Sequence, residues 1–155
     1  MSSFIKKILT EEECSLLAKD IVDLYIKDGN KYTHFDIDYD FETLIKSCNH
    51  SSLLNWNLHT WGHFNGEKWD GCFVGSSRIS EKTSKKIFEE YLWFSKNPKI
   101  GFKLFQTALD FAKNTNCNVF ISNLMSASEK AEKLRRFYSK LGMKKDVESY
   151  FLKLT

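Results

Sequence analysis

The sequence has few of the residues that interrupt regular structure or build special sites. Its 155 residues include one proline and seven glycines, and its four cysteines form no Cys-x-x-Cys pair. The first two counts exclude a collagen-like or linker-rich chain, and the cysteine spacing excludes the common zinc motifs. No apolar run approaches the roughly 20 residues that span a bilayer. We expect a cytoplasmic protein with buried free thiols, no membrane segment and no secretory leader.

The composition is that of a packed globular protein. Hydrophobic residues make up 42% of the chain and aromatic residues 15%, and we predict one domain over residues 1–155. The formal net charge is +3, with 23 basic and 20 acidic residues interspersed, which indicates a solvated surface rather than a nucleic-acid-binding patch. Trp56, Trp61 and Trp69 occur near lysines, but strand alternation favours a place in the core over stacking on single-stranded nucleic acid.

Hydrophobic periodicity predicts alternating strands and helices. Thr10 and Glu13 form a capping box that begins a helix, and Asn65-Gly66 marks the turn of a hairpin. The predicted elements are a strand at 3–9, helices at 10–28 and 41–49, a hairpin within 53–79, a strand at 87–94, a helix from 101, a strand at 119–122, a helix at 130–141 and a strand at 150–154. This order predicts an α/β fold with a mixed, mostly antiparallel sheet and helices on both faces.

Two stretches carry candidate chemistry. In the first, the strand ending in Trp93-Phe94 leads through a lysine-rich turn into a helix. Backbone N–H groups at a helix N-terminus suit phosphate oxygens, and a glycine lets a ligand approach the backbone closely. The candidate anion-binding residues are Lys96, Lys99, Ile100, Gly101, Phe102 and Lys103.

The second stretch is Phe137-Tyr138-x-x-x-Gly142-Met143, at the end of the last predicted helix. Together with the order of elements, the two stretches resemble the coenzyme-A-binding half of GNAT-superfamily acetyltransferases. The resemblance implies a GNAT-like fold that transfers an acetyl group from acetyl-CoA to a primary amine by direct attack. Tyr138 would then protonate the departing thiolate.

The resemblance also assigns roles on the strand before the turn. Glu90, one of an adjacent pair with Glu89, would accept the amine proton, directly or through water. Trp93 and Phe94 would supply main-chain groups to the pantetheine arm and the thioester carbonyl. The acceptor would be a small-molecule or peptide amine. Asp36, Asp38 and Asp40 could attract a cationic acceptor, and homodimer formation stays open.

The sequence departs from the family pattern in three places. Lys99 stands where the first glycine of the loop belongs, Pro98 removes an N–H donor, and Ala131 replaces an asparagine that contacts the cofactor, unless Ser126 or Ser128 takes that role. The alternatives are therefore a catalytically impaired GNAT-like module that binds acyl-CoA or a partner, and an adaptor for nucleic acid or protein.

No metal is expected. His59 and His63 have the spacing of helical metal ligands, but on a strand they lie about 13 Å apart. The acids at 36, 38 and 40 resemble the start of a calcium loop, yet Phe41 occupies the position that needs glycine.

Overall fold

The structure, a computed structural model, describes residues 2–27, 33–34, 37–38, 57–123 and 131–145. The helices within these ranges are α1 (Glu11–Lys27), α2 (Pro98–Asn114) and α3 (Ala131–Lys140). The strands are β1 (Phe4–Lys7), β2 (Thr33–His34), β3 (Ile37–Asp38), β4 (Asn57–Phe64), β5 (Trp69–Ile79), β6 (Lys86–Ser95) and β7 (Val119–Ile121). The predicted helix at 41–49 and strand at 150–154 lie outside the described residues.

Five of these strands form one sheet in the order β1-β4-β5-β6-β7. The pairings from β1 to β6 are antiparallel, whereas β6 and β7 are parallel, with Phe88 opposite Phe120. The α2 helix connects these two parallel strands, as the crossover rule requires. The predicted mixed, mostly antiparallel sheet is confirmed.

Helices cover both faces of this sheet. A Cβ at Gly62 on β4 would lie 3.2 Å from the Leu17 side chain of α1, and a Cβ at Gly71 on β5 would lie 3.0 Å from Leu104 of α2. Gly62 pairs with Cys72, and neighbouring residues on a strand point to opposite faces. Gly71 and Gly62 therefore face opposite sides, with α2 on one and α1 on the other.

The core between α2 and the sheet is built from aromatic rings. Phe73, Phe88 and Phe105 are fully buried, and Phe120 stacks on Phe88 with ring centroids 5.4 Å apart. A Cβ at Gly75 would lie 2.5 Å from the Phe88 ring, so glycine at this position makes room for the ring. Trp61 and Trp69 are buried as predicted, with 4% and 8% exposure.

Some sequence-based expectations need correction. The helix predicted from Gly101 begins at Pro98, because Asn97 caps it. Cys14 and Cys72 are buried free thiols, but Cys117 is partly exposed. No strand was predicted between residues 28 and 41, yet the paired strands β2 and β3 lie there.

The chain divides into two compact units. The first comprises Met1–Asn30 and Asp40–Ser122, and contains the five-stranded sheet with α1 and α2. The second comprises Lys31–Tyr39 and Asn123–Thr155, and contains the β2–β3 pair and α3. The single domain over residues 1–155 stays a prediction. None of the helices in the described ranges has the length and apolarity to pass through a lipid bilayer.

A partly buried histidine lies within the aromatic core. The ring centroid of His59 on β4 is 4.5 Å from that of Phe111, and its Nε2 is 3.0 Å from Ser77 Oγ. Burial, with smaller contributions from the positive charges of Lys7 and Lys86, lowers the pKa of His59 from 6.5 to about 4. The ring is therefore neutral at neutral pH.

This pKa predicts acid destabilisation. Because the folded-state pKa of His59 lies below the unfolded value, its contribution to stability is fully present above pH 6.5 and is lost as the pH falls towards 4. Solvent screening of this partly exposed ring limits the loss to roughly 1–2 kcal/mol. His59→Phe keeps an aromatic ring without the titration, so its free energy of unfolding should fall less over this range. Urea unfolding of both proteins between pH 4 and 7 measures this, and parallel curves would contradict it.

Candidate functional site

The β6 strand is irregular halfway along its length. On the β5 side Val74 pairs with Leu92, while the next residue, Gly75, pairs with Glu90. Tyr91 is therefore the extra residue of a β-bulge, a feature that bends a strand and often accompanies active sites. The bulge separates Glu90 from the other candidate residues of β6, Trp93 and Phe94.

The adjacent acids of β6 occupy different environments. Glu90 is 7% exposed, and its carboxylate accepts a hydrogen bond from the hydroxyl of Ser122, just after β7. Glu89 is more accessible, and its Oε2 lies 3.2 Å from Arg78 Nη2 on β5. One acid is therefore held in the interior and the other at the surface.

The junction between β6 and α2 is short and hydrogen-bonded to itself. Asn97 is the N-cap of α2, and its Oδ1 accepts the N–H of Lys99 at 2.9 Å. Ser95 Oγ accepts the N–H of Asn97 at 3.2 Å and donates to the Asn97 carbonyl at 2.8 Å. Serine and asparagine at these positions satisfy groups that a helix end otherwise leaves open.

Few amides of this junction remain for a ligand. Pro98 has no N–H, and Gly101 N–H donates to the Asn97 carbonyl at 2.9 Å. Phe102 lies in the second turn, where the helix uses its own N–H groups. In the part of the chain that the structure describes, Ile100 N–H makes no hydrogen bond. Of the backbone N–H groups expected to bind a phosphate around Ile100 and Phe102, the one at Ile100 therefore remains available.

The charge around the junction suits an anion better than its amides do. Lys96, Lys99 and Lys103 are exposed, and the first turn of α2 contains no acidic residue. The partial positive charge of the helix N-terminus adds to theirs. The junction therefore fits a diphosphate by charge, with Ile100 as its main amide donor.

Gly101 lies at the contact between α2 and β6. It is buried, a Cβ there would lie 3.4 Å from Ser95 Cβ, and its carbonyl accepts the indole N–H of Trp93 at 2.9 Å. The Trp93 ring also packs on Phe105, with centroids 5.0 Å apart. The tryptophan therefore fixes α2 against β6, while Phe94 is buried in the sheet at 6% exposure.

A groove of about 810 Å³ opens beside Glu89, at the end of the sheet where β5 turns into β6. Its walls include Arg78, Ile79 and Tyr91. The other lining residues in the described ranges are Asn57, Ser77, Ser80, Glu81, Lys82, Lys86 and Ile87. Glu90 does not line the groove, whereas Glu89, the more accessible acid of the pair, does.

Tyr138 lies on α3, in the second unit, and is partly buried. Its carbonyl accepts the N–H of Met143 at 2.9 Å, and Gly142 N–H donates to the Ser139 carbonyl at 3.0 Å. Gly142 has φ of +77°. These features form a Schellman motif, so the spacing from Tyr138 to Gly142 is that of a helix end.

His59 and His63, the two histidines with the spacing of helical metal ligands, have separate hydrogen-bond partners. His59 bonds with Ser77, and His63 Nδ1 lies 2.5 Å from Asp70 Oδ1. In the described ranges, no three His, Cys, Asp or Glu side chains are grouped to hold a metal ion.

Sequence reasoning missed Asn97, Ser122 and Arg78. Asn97 had a signal, because asparagine followed by proline is a common helix start, with the proline at the first helical position. Ser122 and Arg78 had none, since their relation to Glu90 and Glu89 depends on which strands pair and in what register. Ser126 and Ser128 lie outside the described residues, and Ala131 is buried at the start of α3.

No protein-family model matches the chain, and no curated protein matches it. Solved structures do. Ribosomal-protein-alanine N-acetyltransferase from Brucella melitensis biovar Abortus 2308 is 13% identical, with a TM-score of 0.67 over 99% of this chain and 100% of that one. An aminoglycoside acetyltransferase from an uncultured soil metagenomic sample, in complex with sisomicin, is 15% identical, with a TM-score of 0.66 over 99% and 97%.

An acetyltransferase from Trypanosoma brucei is 13% identical, with a TM-score of 0.66 over 99% of this chain and 100% of that one. These likenesses extend over nearly the whole of each chain. The protein therefore has the acetyltransferase fold of these structures, and the GNAT-like fold expected from the sequence is confirmed.

The Schellman motif yields a stability prediction. Nothing lies within 4 Å of a Cβ built at Gly142, so Gly142→Ala should cost only the backbone strain of positive φ, about 1 kcal/mol. Gly142→Asn should cost less, because asparagine tolerates this conformation. Urea unfolding measures both, and an alanine variant as stable as the parent would show that the helix ends differently.

Proposed function

We propose that the protein is an N-acyltransferase that moves an acetyl group from acetyl-CoA to a primary amine. The observation that carries the proposal is the acetyltransferase fold, shared over 97–100% of both chains with the aminoglycoside and ribosomal-protein-alanine enzymes. The bulge at Tyr91 supports it locally, because it places a bent strand between a buried acid and a basic helix N-terminus.

The donor would lie along β6 and at the start of α2. Lys96, Lys99 and Lys103 would neutralise the diphosphate, and Ile100 would donate its N–H to it. The main chain at Trp93 and Phe94 would hold the pantetheine arm. The donor supplies an acyl carbon already activated as a thioester.

The proposed chemistry is a direct transfer. The amine nitrogen forms a bond to the acyl carbon, the C–S bond breaks with its electron pair on sulfur, and the sulfur takes a proton from the Tyr138 hydroxyl. A phenol of pKa about 10 is protonated at neutral pH and can donate to a thiolate of pKa near 8.5. The amine proton goes to a carboxylate or to a water bound there. Orientation of the amine against the acyl carbon supplies much of the acceleration.

Two carboxylates can serve as that base. Glu90 is the one that the sequence favours, and in the structure it accepts the Ser122 hydroxyl in the interior. Glu89 lines the groove, where an acceptor could reach it. A general base must come within hydrogen-bond distance of the proton it takes, directly or through one water, so the identity of the base depends on where the amine binds.

A second candidate function is an impaired GNAT-like module that binds acyl-CoA or a partner without turnover. The observation that favours it is the self-capped junction, in which Asn97 and Ser95 occupy hydrogen-bonding groups that a diphosphate could otherwise use. The buried Ala131, which replaces the asparagine of the family pattern, also favours the impaired module.

Asn97 provides a test of donor binding. Asn97→Gly frees the Lys99 N–H and should lower helix stability by only a few tenths of a kcal/mol. We expect the Kd for coenzyme A, measured by calorimetry, to fall roughly threefold to tenfold, because one charge-assisted hydrogen bond is gained. Asn97→Asp keeps the cap but adds a negative charge, and should weaken binding.

The control is Asn118→Gly, which removes an asparagine side chain that accepts the Lys86 N–H away from the α2 N-terminus, and which should leave the Kd unchanged. If the protein and all three variants fail to bind coenzyme A, both acyl-CoA functions are wrong.

Tyr138→Phe tests catalysis. It should lower kcat at least about a hundredfold, since general acid catalysis contributes that much or more, with little change in the Kd for acetyl-CoA. The measurement is release of free thiol with a panel of amines, and an unchanged rate would remove Tyr138 from the mechanism.

The same assay distinguishes the acids. Whichever of Glu89→Gln and Glu90→Gln loses the acidic limb of the pH profile of kcat/KM identifies the base, and the other variant is its matched neighbour on the same strand. Binding of acetyl-CoA without turnover of any amine would favour the impaired module.

A further inference from the structure

An ion pair between Arg78 and Glu89 lies in the groove. Arg78 Nη2 and Glu89 Oε2 are 3.2 Å apart on the neighbouring strands β5 and β6, and both residues line the groove. Their side chains are 37% and 25% exposed. An ion pair this exposed adds little to stability, typically below about 1 kcal/mol, so folding alone gives a weak reason for its position.

Both members of the pair keep unused hydrogen-bonding capacity. Arginine has five N–H donors and a carboxylate has two oxygens. Within the residues that the structure describes, Arg78 bonds through Nη2 alone and Glu89 through Oε2 alone. The remaining guanidinium edge and the second carboxylate oxygen could therefore hold a ligand with one negative and one positive group.

Among the described residues, the rest of the groove has no surplus of acids, because Glu81 is accompanied by Lys82 and Lys86. Glu81 and Lys82, which are adjacent in the turn between β5 and β6, carry opposite charges. Lys86 donates to the Thr115 carbonyl at the end of α2, at 2.8 Å. A polycationic acceptor would need a surplus of carboxylates, which these groove residues lack.

The groove also has apolar walls. Ile79 is 61% exposed although it is a large aliphatic residue, and Ile87 and Tyr91 contribute further apolar surface. Binding sites commonly combine such walls with a few polar groups that fix orientation. A small ligand with an aliphatic side chain would bury the exposed isoleucine.

We propose that this groove is the acceptor site and that the acceptor is an α-amino acid, whose ammonium and carboxylate are separated by one carbon atom. Arg78 receives the carboxylate in the two-pronged geometry that guanidinium favours, and Glu89 receives the amino group. This inference rests on the proposed function, because it names the acceptor of that transfer. It also predicts that a multiply charged aminoglycoside is a poor acceptor.

The experiment compares leucine with 3-methylbutylamine, which is leucine without its carboxylate. Calorimetry measures the binding of each compound, and thiol release from acetyl-CoA measures turnover. We expect leucine to bind at least tenfold more tightly and to have the higher kcat/KM. Arg78→Gln should abolish this preference by weakening leucine alone, and Arg78→Lys should restore part of it. Lys68→Gln, a matched loss of one charge in the distant β4–β5 turn, serves as the control.

Binding and turnover answer different questions. Leucine binding that depends on Arg78, without acetylation of any amine, would support the site and count against the transferase. Acetylation of 3-methylbutylamine with equal or weaker binding of leucine would overturn the acceptor assignment and leave the transferase intact. A leucine preference that survives in Arg78→Gln would also overturn it, and so would an absence of leucine binding.

Discussion

The hydrogen bond from the Trp93 indole to the Gly101 carbonyl is the contact on which the candidate donor site depends. It joins the end of β6 to the first turn of α2, where Gly101 lies close to Ser95 and Trp93. The ring that donates this bond also packs against Phe105 in the core. The orientation of the helix N-terminus is therefore set by the core of the sheet, and the exposed lysines around it are carried on a rigid support.

The same strand explains why two neighbouring acids have different roles available to them. The bulge at Tyr91 changes the register between β5 and β6 just after Glu90. On one side of the strand a glutamate is enclosed with a serine hydroxyl, and on the other a glutamate meets an arginine across the sheet. A buried carboxylate with a hydroxyl donor and an accessible one beside a guanidinium differ in their access to a ligand, although they are adjacent in sequence.

The sequence predicted most of the fold because its periodicities are strong. The change from helical to alternating spacing predicted the β4–β5 hairpin, and the apolar residues at 87–94 predicted the strand β6. The start of α2 was misplaced because Pro98 was interpreted as a loop residue, although proline is favourable in the first helical turn. The groove could not be predicted, because the contact between Arg78 and Glu89 depends on strand register. Tyr138 was proposed from its motif and its catalytic role stays a prediction, because sequence spacing does not show which residues surround its hydroxyl.

The Schellman motif at the end of α3 changes how the letters Tyr-x-x-x-Gly should be weighed. Glycine follows the tyrosine by four positions because the helix terminates there in a left-handed residue, with the Tyr138 carbonyl as an acceptor of the closing hydrogen bonds. Any helix that stops in this way with a tyrosine in its final turn would spell the same pattern, whatever its chemistry. What distinguishes an enzyme from an inert helix is therefore the set of residues around the phenol. A search for the sequence pattern alone selects a type of helix C-terminus rather than a type of reaction.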